Sequence, residues 1–177
     1  MPFRSSSGIF DGHAAPCDPP GIERGTIVTD AEDRAAFLGR LGDVATATGT
    51  TLYAWALLPN HAHLLLRSGP AGLPQCMRRL LTGYAQAYNR RHRRRGHLFQ
   101  NRYKSIVCEE DPYFRELVRY IHLNPPRAKL VRDLAQLDRY PWCGHAGILG
   151  RATPPWQDRA AVLAGFGREF RGHHTYL

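Results

Sequence analysis

The chain has 177 residues, 43% of them apolar, and a formal net charge of +9. That length supports one core-forming domain with a small appendage, and no apolar run approaches the roughly 20 residues that a membrane-spanning helix needs. The start, Met1-Pro2-Phe3-Arg4, lacks the apolar centre of a secretory signal, and Cys17, Cys76, Cys108 and Cys143 form no CxxC pair, a pattern of thiols in a reducing cytoplasm.

The first 29 residues hold several Gly and Pro and show no clear period. Asp30 is placed to cap a helix running to about Thr48, with Phe37, Leu38, Leu41, Val44 and Ala45 on one face. Thr51 to Leu58 is apolar at both alternating positions, the pattern of a central strand covered on two sides. Pro59-Asn60 marks a turn, and His61 to Arg67 reads as the returning strand. A long amphipathic helix follows from Leu73 to about Arg94, with Leu73, Met77, Leu80, Leu81, Tyr84 and Tyr88 in one stripe, stopped by Gly96. His97 to Val107 reads as extended. Asp111-Pro112 opens another helix, apolar at Tyr113, Phe114, Leu117, Val118 and Ile121, which Pro125 and Pro126 end.

With a first strand inside residues 8–28, this order makes a split βαββαβ unit. The expected fold is α+β: a ferredoxin-like antiparallel sheet with helices on one face. Residues 129–177 read as short helices and loops around Trp142 and Trp156, so the expected division is a catalytic domain over 1–128 and a C-terminal helical extension over 129–177.

Charge is distributed unevenly. Residues 1–60 carry seven acidic side chains and four arginines, whereas residues 67–104 carry nine arginines and Lys104 with no Asp or Glu. A stretch of 38 residues with one sign fits a polyanion, and guanidinium suits phosphate recognition. Within this stretch Arg78, Arg79, Arg90, Arg91, Arg93, Arg94, Arg95, Arg102 and Lys104 are candidate backbone contacts, with Phe99 and Tyr103 as stacking surfaces for single-stranded nucleic acid.

Chemistry centres on His61-Ala62-His63. Two residues apart on a strand, the imidazoles lie on one side of the sheet and can reach one ion. Tyr120 and Asn124 are four apart on the last helix, hence on nearly one face. If that helix packs on the histidine face, two imidazoles and an amide oxygen would hold a divalent cation with open positions, Mg²⁺ or Mn²⁺ rather than structural zinc. Tyr120 would then be a nucleophile toward phosphorus. Spacing alone leaves the other reading open: an incidental histidine pair, a packing tyrosine and an asparagine at a turn. His122 points away from the Tyr120–Asn124 face and stays outside the metal set.

Ala54-Trp55-Ala56-Leu57-Leu58-Pro59-Asn60-His61-Ala62-His63-Leu64-Leu65-Leu66 resembles the signature strand pair of the single-tyrosine HUH transposases. Gly96-His97-Leu98-Phe99-Gln100-Asn101-Arg102-Tyr103-Lys104-Ser105, Arg119-Tyr120-Ile121-His122-Leu123-Asn124-Pro125 and Tyr140-Pro141-Trp142 resemble its REP-associated branch, over roughly residues 20–145. The resemblance implies an RRM-like domain, soluble in the bacterial cytoplasm beside the nucleoid, that cuts and joins single-stranded DNA next to hairpins. His61, His63 and Asn124 fall at the metal ligands. Tyr120 falls at the nucleophile that becomes linked to a 5′ phosphate, leaving a 3′ hydroxyl. Relatives work as monomers or homodimers. One stretch departs from the family pattern. Where a central strand is expected, His13 to Arg24 contains Pro16, Pro19, Pro20 and Asp18, a poor strand because proline cannot donate to a ladder. The first strand is therefore expected to be degenerate. This keeps two further readings in view: an inactive relative that only binds nucleic acid, and a phosphoesterase that uses the histidines without the tyrosine.

Overall fold

The computed structural model describes residues 7–13, 25–99, 103, 105, 107–108, 111–152 and 154–167. Its elements are β1 (Ser7–His13), α1 (Ala31–Thr48), β2 (Thr51–Leu57), β3 (His61–Arg67), α2 (Leu73–Arg91), β4 (Val107–Cys108) and α3 (Asp111–His122), then the short helices α4 (Asn124–Arg127), α5 (Leu134–Leu137), α6 (His145–Ile148) and α7 (Arg159–Gly165). Asp30 caps α1 by accepting from the Asp33 amide, and Gly49 closes it in the left-handed region at φ 64°.

The sheet has the order β2-β3-β1-β4, with every neighbouring pair antiparallel. The central strand is therefore present, contrary to the expectation of a degenerate one. It uses Ser7–His13, ahead of the prolines, and places Asp11 opposite His63 and His13 opposite His61. The proline-bearing residues 14–24 lie outside the described ones. β2 stands at the edge of the sheet rather than at its centre, although both of its faces are covered as its composition requires.

Two cores flank the sheet. Leu52, Trp55, Leu57, Ala62, Leu64 and Leu66 pack with α1 and α2 through Phe37, Leu41, Met77, Leu80 and Tyr84. Tyr53, Ala54, Ala56, Leu58 and Leu65 pack with Leu117, Val118 and Ile121 of α3 and with Val131, Leu137, Ile148 and Val162 of the C-terminal region. The ferredoxin-like pair α1 and α2 thus shares one face, and α3 with the extension covers the other. An irregularity between Leu52 and Ala54 adds a residue to β2, which puts the neighbours Tyr53 and Ala54 on the same side.

α2 stops at Arg91, three residues short of the expected end. The His92 ring packs on Tyr88 at 4.3 Å, and both Arg91 and His92 reach Asp33 at the start of α1. Arg93 then turns through the left-handed region at φ 51°, so a tertiary anchor ends the helix before Gly96. Pro125 and Pro126 do not simply end the last helix: they occupy the first turn of α4, where a missing amide hydrogen costs nothing.

An edge strand exposes unpaired backbone groups, and here the extension satisfies them. Leu57 donates to the Trp142 carbonyl at 2.9 Å, Gly144 to Trp55 at 2.8 Å and Asp158 to Leu52 at 2.8 Å. The buried Gln157 amide completes the seam: its Nε2 donates to the Tyr53 and Gly144 carbonyls, and its Oε1 accepts from the Trp55 indole at 3.1 Å. Gln157→Ala strands these partners in a buried position. It should cost about 2–3 kcal/mol and lower Tm by ~5–10 °C in thermal unfolding. A shift within about 1 °C would show that the seam does not support the fold.

Candidate functional site

β3 alternates strictly. Ala62, Leu64 and Leu66 enter the α1/α2 core, so His61, His63 and Leu65 take the face that α3 covers. α3 sits there through Leu117, Val118 and Ile121, each at most 6% exposed. This rotation leaves Tyr120 at the margin of the contact, 43% exposed, with its ring edge-on to His63 at 5.6 Å between centroids. The helix therefore packs on the histidine face, the condition on which the sequence reading depended.

The imidazoles of His61 and His63 approach with Nε2 atoms 3.0 Å apart. The Asn60 Oδ1 lies 2.7 Å from His61 Nδ1. An amide oxygen only accepts, so the His61 proton sits on Nδ1 and its Nε2 keeps a lone pair aimed at His63. Two nitrogens in this arrangement must share a proton or a cation. A separation of this size suits either one, as the length of an N–H···N hydrogen bond or as the spacing of two ligands on one ion. Asn124 is buried one turn beyond Tyr120, its Nδ2 donating to the Tyr120 carbonyl at 2.8 Å. Among the described residues, no group of three or more His, Cys, Asp or Glu could hold a metal ion.

Two residues beside His61 and Tyr120 were not singled out by sequence reasoning. Asn60 was read only as part of a turn, yet it fixes the His61 tautomer. Arg127 places its guanidinium carbon 5.2 Å from the Tyr120 ring centroid. The Asn-Pro-Pro-Arg run carried the signal: a helical turn started by prolines returns Arg127 toward Tyr120. His122 lies outside the site, as expected. It is fully buried beside His145, and burial pushes its pKa down to about 3.

The arginine segment divides. Arg78, Arg79, Arg90, Arg93 and Arg95 are exposed, and Arg94 lies over the Tyr88 ring at 5.7 Å. Arg91 instead pairs with Asp30 at 2.7 Å, Glu32 at 2.9 Å and Asp33 at 2.5 Å. Phe99 and Tyr103 are half-buried against the α1/α2 core rather than fully presented; Arg102 and Lys104 lie outside the described residues. The run sits on the sheet face opposite Tyr120 but at the same end of the sheet as His61. Arg91 is tied to Asp30, and nearby Ile27 and Val28 donate to the Pro59 carbonyl, next to Asn60.

The Arg91 guanidinium, the largest influence on Asp30, holds that carboxyl down at about 2. A depressed acid stabilises above its unfolded value, and the effect fades as pH falls through the folded one. Arg91→Ala should therefore lower Tm clearly at pH 7, and the gap to the native chain should close between about pH 4 and pH 2. A gap that is independent of pH would refute this anchor.

Among the described residues no helix is long and apolar enough to cross a membrane. The family model for IS200-like transposases matches residues 22–124. A solved REP-associated tyrosine transposase bound to a REP hairpin is similar to this chain with a TM-score of 0.66 and 16% identity, over 85% of this chain and 83% of that one. A crystal structure of a Deinococcus radiodurans R1 protein assigned as a transposase aligns at 19% identity and TM-score 0.47, over 68% of this chain and 92% of that one. No curated protein matches the sequence.

Proposed function

We propose that this chain, which belongs to the IS200-like transposase family, cleaves and rejoins single-stranded DNA beside a hairpin through a covalent link to Tyr120. The observation that carries this reading is the convergence of Tyr120 on the His61–His63 pair, with Asn124 one turn away. The hairpin held by the similar solved transposase supports hairpin DNA as the substrate class, and the exposed arginines at the end of α2 supply phosphate contacts.

In the forward step the Tyr120 oxygen attacks phosphorus in line, losing its proton to solvent at this exposed position. The bond from phosphorus to the 3′ oxygen breaks, and that oxygen takes up a proton and leaves as a hydroxyl. The 5′ phosphate stays on Tyr120. In the reverse step a 3′ hydroxyl attacks the phosphotyrosine, and one phosphodiester replaces another with no need for ATP. His61, His63 and Asn124 would hold Mg²⁺ or Mn²⁺, which polarises the phosphoryl oxygens when bound. Asn60 keeps the His61 lone pair turned toward that position. The full β1 strand and the assembled site favour this reading over a binding module that has lost its chemistry.

A labelled single-stranded hairpin oligonucleotide should give a covalent adduct on a denaturing gel with the native chain in Mg²⁺ or Mn²⁺. Tyr120→Phe and added EDTA should each abolish it. Equal adduct from Tyr120→Phe would refute the nucleophile, and turnover of model phosphodiesters that survives in this variant but not in His61→Ala would favour the phosphoesterase. Asn60→Ala should raise the Mn²⁺ concentration for half-maximal adduct by about 10-fold; an unchanged requirement would remove Asn60 from the site.

A further inference from the structure

We propose that Arg127 is a second catalytic side chain of this site: its guanidinium, stacked on the Tyr120 ring, receives the scissile phosphate and balances the charge on the tyrosine oxygen during cleavage and rejoining. The proposal rests on Tyr120 being the nucleophile.

The first support is position. The Arg127 guanidinium carbon lies 5.2 Å from the Tyr120 ring centroid, within the range of a cation–π contact. Its backbone is firmly placed. Arg127 donates its amide to the Leu123 carbonyl, Ala128 donates to Asn124, and Pro125 and Pro126 restrict the turn between. Tyr120, Asn124 and Arg127 thus follow one another at spacings of four and three, along one side of the helical path.

The second support is charge. Several arginines of the chain are spent on carboxylates: Arg91 on Asp30, Glu32 and Asp33, Arg119 on Glu116, and Arg151 on Asp138. Among the described residues no carboxylate pairs with Arg127, which is exposed beside the nucleophile. An exposed arginine held over an aromatic ring suits an anion that arrives from outside.

The third support is chemistry. A planar guanidinium stacks by its face and donates by its edge at once, so it can keep the ring in place and contact two phosphoryl oxygens. The bond that forms joins the Tyr120 oxygen to phosphorus, and the bond that breaks joins phosphorus to the 3′ oxygen. Arg127 keeps all its protons throughout. Negative charge accumulates on the phosphoryl oxygens in the transition state and on the tyrosine oxygen when rejoining expels it. A fixed cation at this point serves both directions, and removing such a group commonly costs ~10²–10³ in rate.

The experiment measures single-turnover adduct formation at saturating hairpin oligonucleotide, with its Kd from fluorescence anisotropy. Arg127→Ala should slow adduct formation about 100-fold while Kd changes by less than about 3-fold, one phosphate contact among many. Guanidinium ion at about 50 mM should restore ~10-fold to Arg127→Ala and nothing to Tyr120→Phe, and Arg127→Lys should lie between because an ammonium cannot stack and fork. A loss caused only by misfolding would not respond to guanidinium, and that result overturns the proposal. So does a native-like rate in Arg127→Ala, which leaves the Tyr120 reading intact. If the native chain itself forms no adduct, the Tyr120 reading falls and the role of Arg127 falls with it.

Discussion

The seating of α3 on the sheet is the contact on which the site depends. Leu117, Val118 and Ile121 occupy positions i, i+1 and i+4 and are buried against Tyr53, Ala54, Ala56 and Leu65. Such a patch fixes the rotation of a helix, because each residue step turns it by about 100°. Burial of three aliphatic side chains contributes several kcal/mol, at about 1.5–3 kcal/mol each. Once that rotation is set, Tyr120 has one place to go: the rim of the contact, beside His63. The same alternation that sends Ala62 and Leu64 into the other core turns His61 and His63 toward this rim. Apolar packing, rather than any bond between the polar groups, brings Tyr120 and the imidazoles together.

The C-terminal extension supports that arrangement from two directions. It closes the outer edge of β2 through backbone bonds to residues 142–144 and 158, and it packs Leu137, Ile148 and Val162 into the core behind α3. The groups there are fully buried. Burial lowers His122 to about 3 and pushes the Cys143 thiol up to about 12, so both are uncharged near neutral pH. The buried contact of His145 Nε2 with the Asp138 carboxylate, at 2.9 Å, lies in the same region. These polar groups are buried, and His122 lies on the side of α3 away from Tyr120.

The local signals in the sequence were legible because they depend on neighbours along the chain. The Asp30 cap, the strand pair around Pro59-Asn60 and the helical stripe of α2 all follow from short-range periodicity. The histidine pair and the Tyr120–Asn124 spacing were legible for the same reason, though their meeting was not, since it is set by α3 packing. Three features were hidden. β1 carries two glycines and an aspartate, and the prolines after it dominated the reading of that region. α2 ends early because Arg91 and His92 are drawn to Asp33, 58 and 59 residues away. The one-signed arginine stretch concealed the pairing of Arg91, because its acidic partners come from the N-terminal segment. Composition records the charges in a window of sequence, whereas a guanidinium responds to the charges around it in space.

That spatial redistribution bears on how a polyanion would be held. The exposed arginines at the end of α2 and the Tyr120 rim lie on opposite faces of the sheet, yet both lie toward the β2–β3 turn. Residues 27–30 bridge them, bound to Pro59 on one side and to Arg91 on the other. Under the proposed function, a nucleic acid that contacts both must pass around this turn, with affinity drawn from α2 and chemistry from α3. The acidic side chains of Asp30, Glu32 and Asp33 would repel a phosphate backbone on that path, and Arg91 compensates all three. An arginine that gives up its own phosphate contact thereby keeps the route between the two surfaces open to phosphate.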